Sequence, residues 1–141
     1  MCLLAAKNNT EKEMFEAMRY KLGFNNSQEV HTFMKKFLEF WSANNAHVTL
    51  NIANRVILNK SDKCQMNPEY SKQLKAFYKA MVDEVDFGTQ NEQIVQTCNQ
   101  WVNEATKGKI PTILDSLEKD AVAVLINAIY FKGSWVHAFD K

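Results

Sequence analysis

"AVAVLINAIYFKGSW", residues Ala121 to Trp135, begins with eleven residues of which only Asn127 is strongly polar. A strand solvated on one face alternates polar and apolar residues, whereas a run rich in Val, Ile, Tyr and Phe suits a strand covered on both faces. The stretch therefore predicts a buried strand over Ala121–Phe131, closed near Gly133. Upstream, "HVTLNIANRVILNK" alternates at Val48, Leu50 and Ile52, then becomes continuously apolar at Val56, Ile57 and Leu58. That change of pattern predicts a second long strand, passing from half-covered to fully covered.

What lies between these two strands is helical. Asn67 and Pro68 stand in the preferred cap and first-turn positions of a helix whose inner face would be Tyr70, Leu74, Phe77, Tyr78 and Met81. A short strand, "VDEVDF", and a turn at Gly88 follow. Ile94, Val95, Cys98, Trp101, Val102 and Ala105 then recur at helical spacing up to Gly108. "KIPTILDSLEKD" is a connector, since Pro111 disfavours helix at Ile110. Strands joined by helices within one domain require a sheet with at least one covered face, an α/β or α+β layer arrangement.

Helices precede the first strand. Met1 to Ala6 read as the last turns of an apolar helix. In "NNTEKEMFEAMRYKLGF", Thr10 and Glu13 have the spacing of a capping box and Gly23 sits where a left-handed stop belongs, with Met14, Phe15, Met18 and Leu22 sharing one face. "SQEVHTFMKKFLEFWSANN" would be capped by Ser27, bury Val30, Phe33, Met34, Phe37, Leu38 and Trp41, and end at Asn44 and Asn45. His31, Lys35 and Lys36 fall on its polar side, a small cationic set of the kind that meets a polyanion such as a sulfated polysaccharide. Charged outer faces are also the ordinary state of a surface helix.

Composition narrows the function classes. The 141 residues are 46% apolar, with 17 basic against 16 acidic side chains and no long run of either sign. This balance leaves no electrostatic footprint for nucleic acid or an anionic membrane, and no apolar run approaches the roughly 20 residues of a bilayer span. Cys2, Cys64 and Cys98 are too few and too far apart for a disulfide framework or a zinc site and read as separate thiols, with a bridge as the alternative. His31, His47 and His137 lack nucleophile or metal spacing, so neither an enzyme, a metal nor a cofactor is expected. "MCLLAAKNNT" has no basic n-region and is not read as a signal peptide.

Several motifs together resemble the serpin family of serine protease inhibitors. "NAIYFKGSW", with Phe139 four residues after Trp135, is similar to the family's signature around the third strand of its central sheet. "NQWVNEATKGKI", "VDF" before that helix, "ANRVILNK" ahead of "NPEY", and "AAKNNTEKEM" follow the family's order and spacing across the whole chain. The resemblance implies an α+β fold with helices packed on part of a large central sheet. Val48–Leu58 would be that sheet's second strand, Val82–Phe87 its first and Ala121–Phe131 its third, with the helix near 91–107 lying across it. It also implies a mechanism. In inhibitory members a protease, serine or cysteine, cleaves an exposed loop, and the loop then inserts as a new strand beside the third, trapping the acylated protease. Each net hydrogen bond contributes about 0.5–1.5 kcal/mol, so a strand of roughly ten residues would release on the order of ten kcal/mol or more.

By the same resemblance Asn127 belongs to the shutter, the polar cluster under the sheet's centre, and Trp135 to the breach where the loop enters; Trp101 is assigned to packing. Residues 1–141 would be a partial domain, truncated at both ends and without the reactive loop. The chain alone is therefore not expected to inhibit. It should expose an apolar edge and face, with marginal stability or self-association. The alternative is a non-inhibitory member that carries a small hydrophobic ligand or acts as a chaperone. Asn8, Asn25 and Asn59 begin glycosylation sequons, which favours an extracellular setting.

Overall fold

The computed structural model describes residues 1–42, 48–60 and 65–135, and its centre is a twelve-residue strand, β1 (Val48–Asn59). Cys64, His47, His137, Phe139, Asn44 and Asn45 lie outside the described residues. On one flank β1 pairs in parallel with a short strand, β2 (Met81–Val85); on the other it pairs antiparallel with β3 (Ala123–Gly133), giving the order β2-β1-β3. A parallel pair needs a crossover, and helix α4 (Pro68–Tyr78) supplies it. Its start is as the sequence predicts: the Asn67 side chain accepts from the N–H groups of Glu69 (2.9 Å) and Tyr70 (3.4 Å), with Pro68 in the first turn.

The period-2 geometry of β1 sends successive side chains to opposite faces, and each face has its own helical cover. Ile57 packs with Phe87, with Ile94, Cys98 and Val102 of helix α5 (Asn91–Ala105), and with Ile126 and Ala128 of β3. Val56 packs on the opposite side with Leu74, Tyr78 and Ala80, and with Leu4 of the short helix α1 (Cys2–Ala5). Leu3, Phe15 and Val30 form a third cluster that ties α1 to helices α2 (Asn8–Ala17) and α3 (Ser27–Ser42). Leu74 is wholly buried, and truncating such a residue to alanine costs about 2–5 kcal/mol.

The connector from 109 to 120 has no strand or helix of its own, so its backbone groups need side-chain partners. Asn99 supplies three: its Nδ2 donates to the Leu114 carbonyl (2.8 Å), and its Oδ1 accepts from the N–H groups of Ile113 (2.8 Å) and Leu114 (2.9 Å). Asn91 donates to the Leu117 carbonyl. Lys107, at φ 52°, and Gly108, at φ +79°, are both left-handed and end α5 just past its C-cap Thr106.

Several local expectations are corrected. The capping box does not form: Lys7 is the N-cap of α2 and Thr10 lies inside the helix. Arg19, at φ 55°, breaks the helix early and a single 3-10 turn (Tyr20–Leu22) follows, so Met18 and Leu22 face outward and Gly23 is not left-handed. Tyr20 and Phe24 take the inward places. At the start of α3 the cap is Asn26, whose Oδ1 accepts from the Glu29 N–H (3.0 Å), while the Ser27 hydroxyl donates to Glu11. Phe33 is half exposed, and Met81 belongs to β2 instead of α4.

Candidate functional site

β3 is hydrogen-bonded along one flank only. Its eleven residues pair with β1 from Ala123 opposite Leu58 to Gly133 opposite Val48, and among the described residues no strand lies on its outer flank. Val124, Ile126 and Ala128 point to the α5 side and pack in its core, while Lys107 just past α5 sits over the Tyr130 ring at 5.4 Å. Leu125, Ile129 and Phe131 point the other way and are exposed, Ile129 to 56% and Phe131 to 65%. The expectation of burial on both faces therefore holds only for the α5 face among the described residues. A row of unpaired backbone donors and acceptors flanked by apolar side chains is a template for one more strand.

Asn127 sits in the middle of that exposed face and turns inward to β1. Its Nδ2 donates to Asn54 Oδ1 (2.8 Å), directly across the register, and Asn54 Nδ2 donates to the Tyr78 carbonyl (2.9 Å). Asn54 is only 7% exposed, so its amide needs both partners. The Tyr78 hydroxyl, on the same residue as that carbonyl, meets His31 Nδ1 at 2.6 Å. Burial pushes the Tyr78 hydroxyl up to about 12, with Tyr20 and Tyr70 adding to it, and burial pulls the His31 imidazole below its usual value.

The other predicted residues are dispersed. Trp135 lies two residues beyond β3 and is 76% exposed. His31 is not on the polar face of α3: at 3% exposure it is covered by Phe77 and Tyr78 of α4, whose rings lie 6.0 and 5.8 Å from its own. Lys35 and Lys36 are exposed, with Lys35 Nζ 4.0 Å from Glu39, so the three residues form no common cationic patch. Asn8 and Asn25 are exposed. Asn59 is not available in the same way: its Nδ2 donates to the carbonyls of Lys119 (3.2 Å) and Ala121 (3.0 Å), and its Oδ1 accepts from the Phe87 N–H (3.1 Å). Cys2 is exposed and Cys98 buried, both unbridged.

Sequence reading missed Asn54 and the Arg55–Asp83 pair, and it placed Tyr78 correctly on the inner face of its helix without giving it a polar role. Arg55 Nε donates to Asp83 Oδ2 (2.8 Å) between β1 and β2, and its guanidinium lies 5.6 Å from the Trp101 ring centre. The signal for both polar pairs was present: Asn54 and Arg55 interrupt an apolar strand, and a buried polar residue needs an organised partner. Beside the strand, Leu4, Val56, Leu58, Tyr70 and Leu125 line a half-open, mainly apolar cavity of about 500 Å³, with Lys7, Glu69 and Gln73 also on its wall. Among the described residues no cluster of three or more His, Cys, Asp or Glu could hold a metal, and no helix is long and apolar enough to cross a membrane.

Comparison with known proteins gives this geometry a context. All of residues 1–141 match the family described as Serpin (serine protease inhibitor). Serpin B8 of Bos taurus is 35% identical over 143 residues, spanning 100% of this chain and 37% of that protein. The leukocyte elastase inhibitor of Sus scrofa is 34% identical over 141 residues, spanning 99% and 36% respectively. The solved structure of emu (Dromaius novaehollandiae) ovalbumin superposes with a TM-score of 0.85 at 29% identity, over 98% of this chain and 38% of that one. The chain thus spans little more than a third of the length of these relatives.

Proposed function

The chain belongs to the serpin (serine protease inhibitor) family, and from that premise we propose that it forms the strand-receiving wall of a protease inhibitor that works by strand insertion. The observation that carries this reading is the open flank of β3, eleven residues long and, among the described residues, paired on its inner side only. A cleaved loop entering there would complete a row of backbone hydrogen bonds and cover Leu125, Ile129 and Phe131, so insertion is downhill in both hydrogen bonding and apolar burial. Asn127 takes the shutter role, joined through Asn54 to α4 beneath the sheet. Trp135, just past the end of β3, takes the breach role. The partner is a serine or cysteine protease; the pig relative's own name speaks of elastase inhibition for that protein.

A second reading rests on the apolar cavity of about 500 Å³, a volume suited to carrying a small hydrophobic ligand. One experiment separates the two. A protein extending this chain to the length of its relatives is incubated with trypsin-, chymotrypsin-, elastase- and papain-type proteases. The inhibitor reading expects a 1:1 covalent complex that survives boiling in SDS. Cleavage with release of active protease, and no rise in thermal stability, would overturn it in favour of the carrier.

A further inference from the structure

Tyr78 closes α4, so its carbonyl is one of those left without an intrahelical partner. Asn54 Nδ2 fills that vacancy, while the hydroxyl of the same tyrosine meets His31 on α3. One buried residue thus touches both the amide pair beneath β3 and an imidazole two elements away. The backbone beyond it is fixed as well: Lys79 is left-handed at φ 51° and Ala80 is buried, its N–H donating to the Leu74 carbonyl (3.4 Å).

We propose that His31 is a positioning residue for the open edge of β3: through Tyr78 it holds Asn54, and through Asn54 it holds Asn127, so that protonating the imidazole loosens the inner flank of the receiving strand. The proposal rests on the reading of β3 as that strand. In its Nε2–H tautomer a neutral imidazole offers Nδ1 as an acceptor to the Tyr78 hydroxyl, the arrangement the proposal assigns to His31. A charged ring makes Nδ1 a donor and forces the hydroxyl to reverse, in a site with almost no water to solvate the charge. The groups facing the ring do not compensate. The Met1 amino group beside α1 and Lys7 at the start of α2 oppose a further positive charge, Glu11 of α2 favours one, and Tyr78 of α4 carries none. Burial outweighs all of these.

The test uses the whole chain, labelled with 15N and titrated from about pH 8 to about pH 5 around the histidine range. The side-chain amide resonances of Asn54 and Asn127 should move with the midpoint of the His31 ring and stay still in His31→Asn, which keeps a hydrogen-bonding group near Nδ1 but does not titrate. Amide exchange over 123–133, corrected for its intrinsic pH dependence, should quicken roughly 2- to 12-fold below that midpoint, the equivalent of one net hydrogen bond. Tyr78→Phe, which removes a single oxygen, should produce the same quickening at neutral pH, and serves should His31→Asn not fold. Asparagine resonances indifferent to a titrating His31, or an unchanged acid response in His31→Asn, would overturn the proposal. A parallel arm measures binding of a fluorescent alternating Thr–Val peptide of about twelve residues, long enough to span the edge. Coupled resonances without peptide binding would uphold the positioning role and overturn the strand-receiving reading alone.

Discussion

Removing the Asn54 side chain should cost far more than removing that of Asn127, although the two face each other across one hydrogen bond. Asn54→Ala deletes the bond from Asn127 Nδ2 (2.8 Å) and the bond to the Tyr78 carbonyl (2.9 Å), at a residue that is 7% exposed. Two net bonds amount to about 1–3 kcal/mol, and leaving the Tyr78 carbonyl without its donor brings the expected loss to about 2–4 kcal/mol. Asn127→Ala deletes one bond at an exposed position where water can replace it on Asn54, so its cost should be about 0.5–1 kcal/mol. The double variant should resemble Asn54→Ala alone, with a coupling of about 0.5–1 kcal/mol. Urea unfolding followed by intrinsic tryptophan fluorescence and by circular dichroism reads all four species. An Asn127→Ala loss equal to or larger than that of Asn54→Ala, or strict additivity, would refute the claim that Asn54 is the keystone of the cluster.

Asn99→Ala should release the connector, since three backbone groups of Ile113 and Leu114 lose their partner; limited proteolysis is expected to cut between residues 109 and 120 in the variant before any cut elsewhere. The folded His31 resists a proton that the unfolded residue binds with a pKa of 6.5, so more protons are bound on unfolding and stability falls as pH drops below 6.5; His31→Asn should lack that part of the acid loss in denaturant titrations. Expression in a glycosylating host should leave Asn59 unmodified by peptide mass spectrometry, because a glycan on Nδ2 would sacrifice its bonds to Lys119 and Ala121.

Long-range architecture was legible in this chain wherever apolar periodicity ran for ten residues or more. The run at 121–131, the change of pattern along 48–58 and the spacing of Ile94, Cys98 and Val102 all became the elements they announced. What failed was local: the ends of helices, which misplaced Met18, Leu22 and Met81, and single polar residues. Thr10 and Glu13 have the right spacing for a cap, but spacing alone says nothing of where the preceding residues leave the helix, and Lys7 took the position. His31 looked solvated because helical spacing put it on the same side of α3 as Lys35 and Lys36; only the tertiary placement of α4 over its turn reveals that it is buried. Asn59 reads as a sequon by its triplet, yet both ends of its amide are committed to backbone groups remote in sequence. Such commitments are made by folding, and no local pattern encodes them.

The disagreement between pattern and burial in β3 is the most informative of these. Leu125, Ile129 and Phe131 are as apolar as a strand covered on both faces demands, yet in this structure they are exposed, while Asn127 on the same face hydrogen-bonds its cross-strand neighbour Asn54. A face solvated in the working protein would alternate with polar residues, as the period of two requires. A face buried once and permanently would have little use for a buried amide pair, which contributes less than well-packed apolar groups and exposes the fold to the cost of an unmet hydrogen bond. A polar joint set in an apolar strand with one unpaired flank is what a sheet needs if it must hold together first and admit another strand later. Asn54 and Asn127 lock one position of the β3–β1 register, and on the proposed strand-insertion reading the apolar side chains around them would supply the burial that favours a new strand.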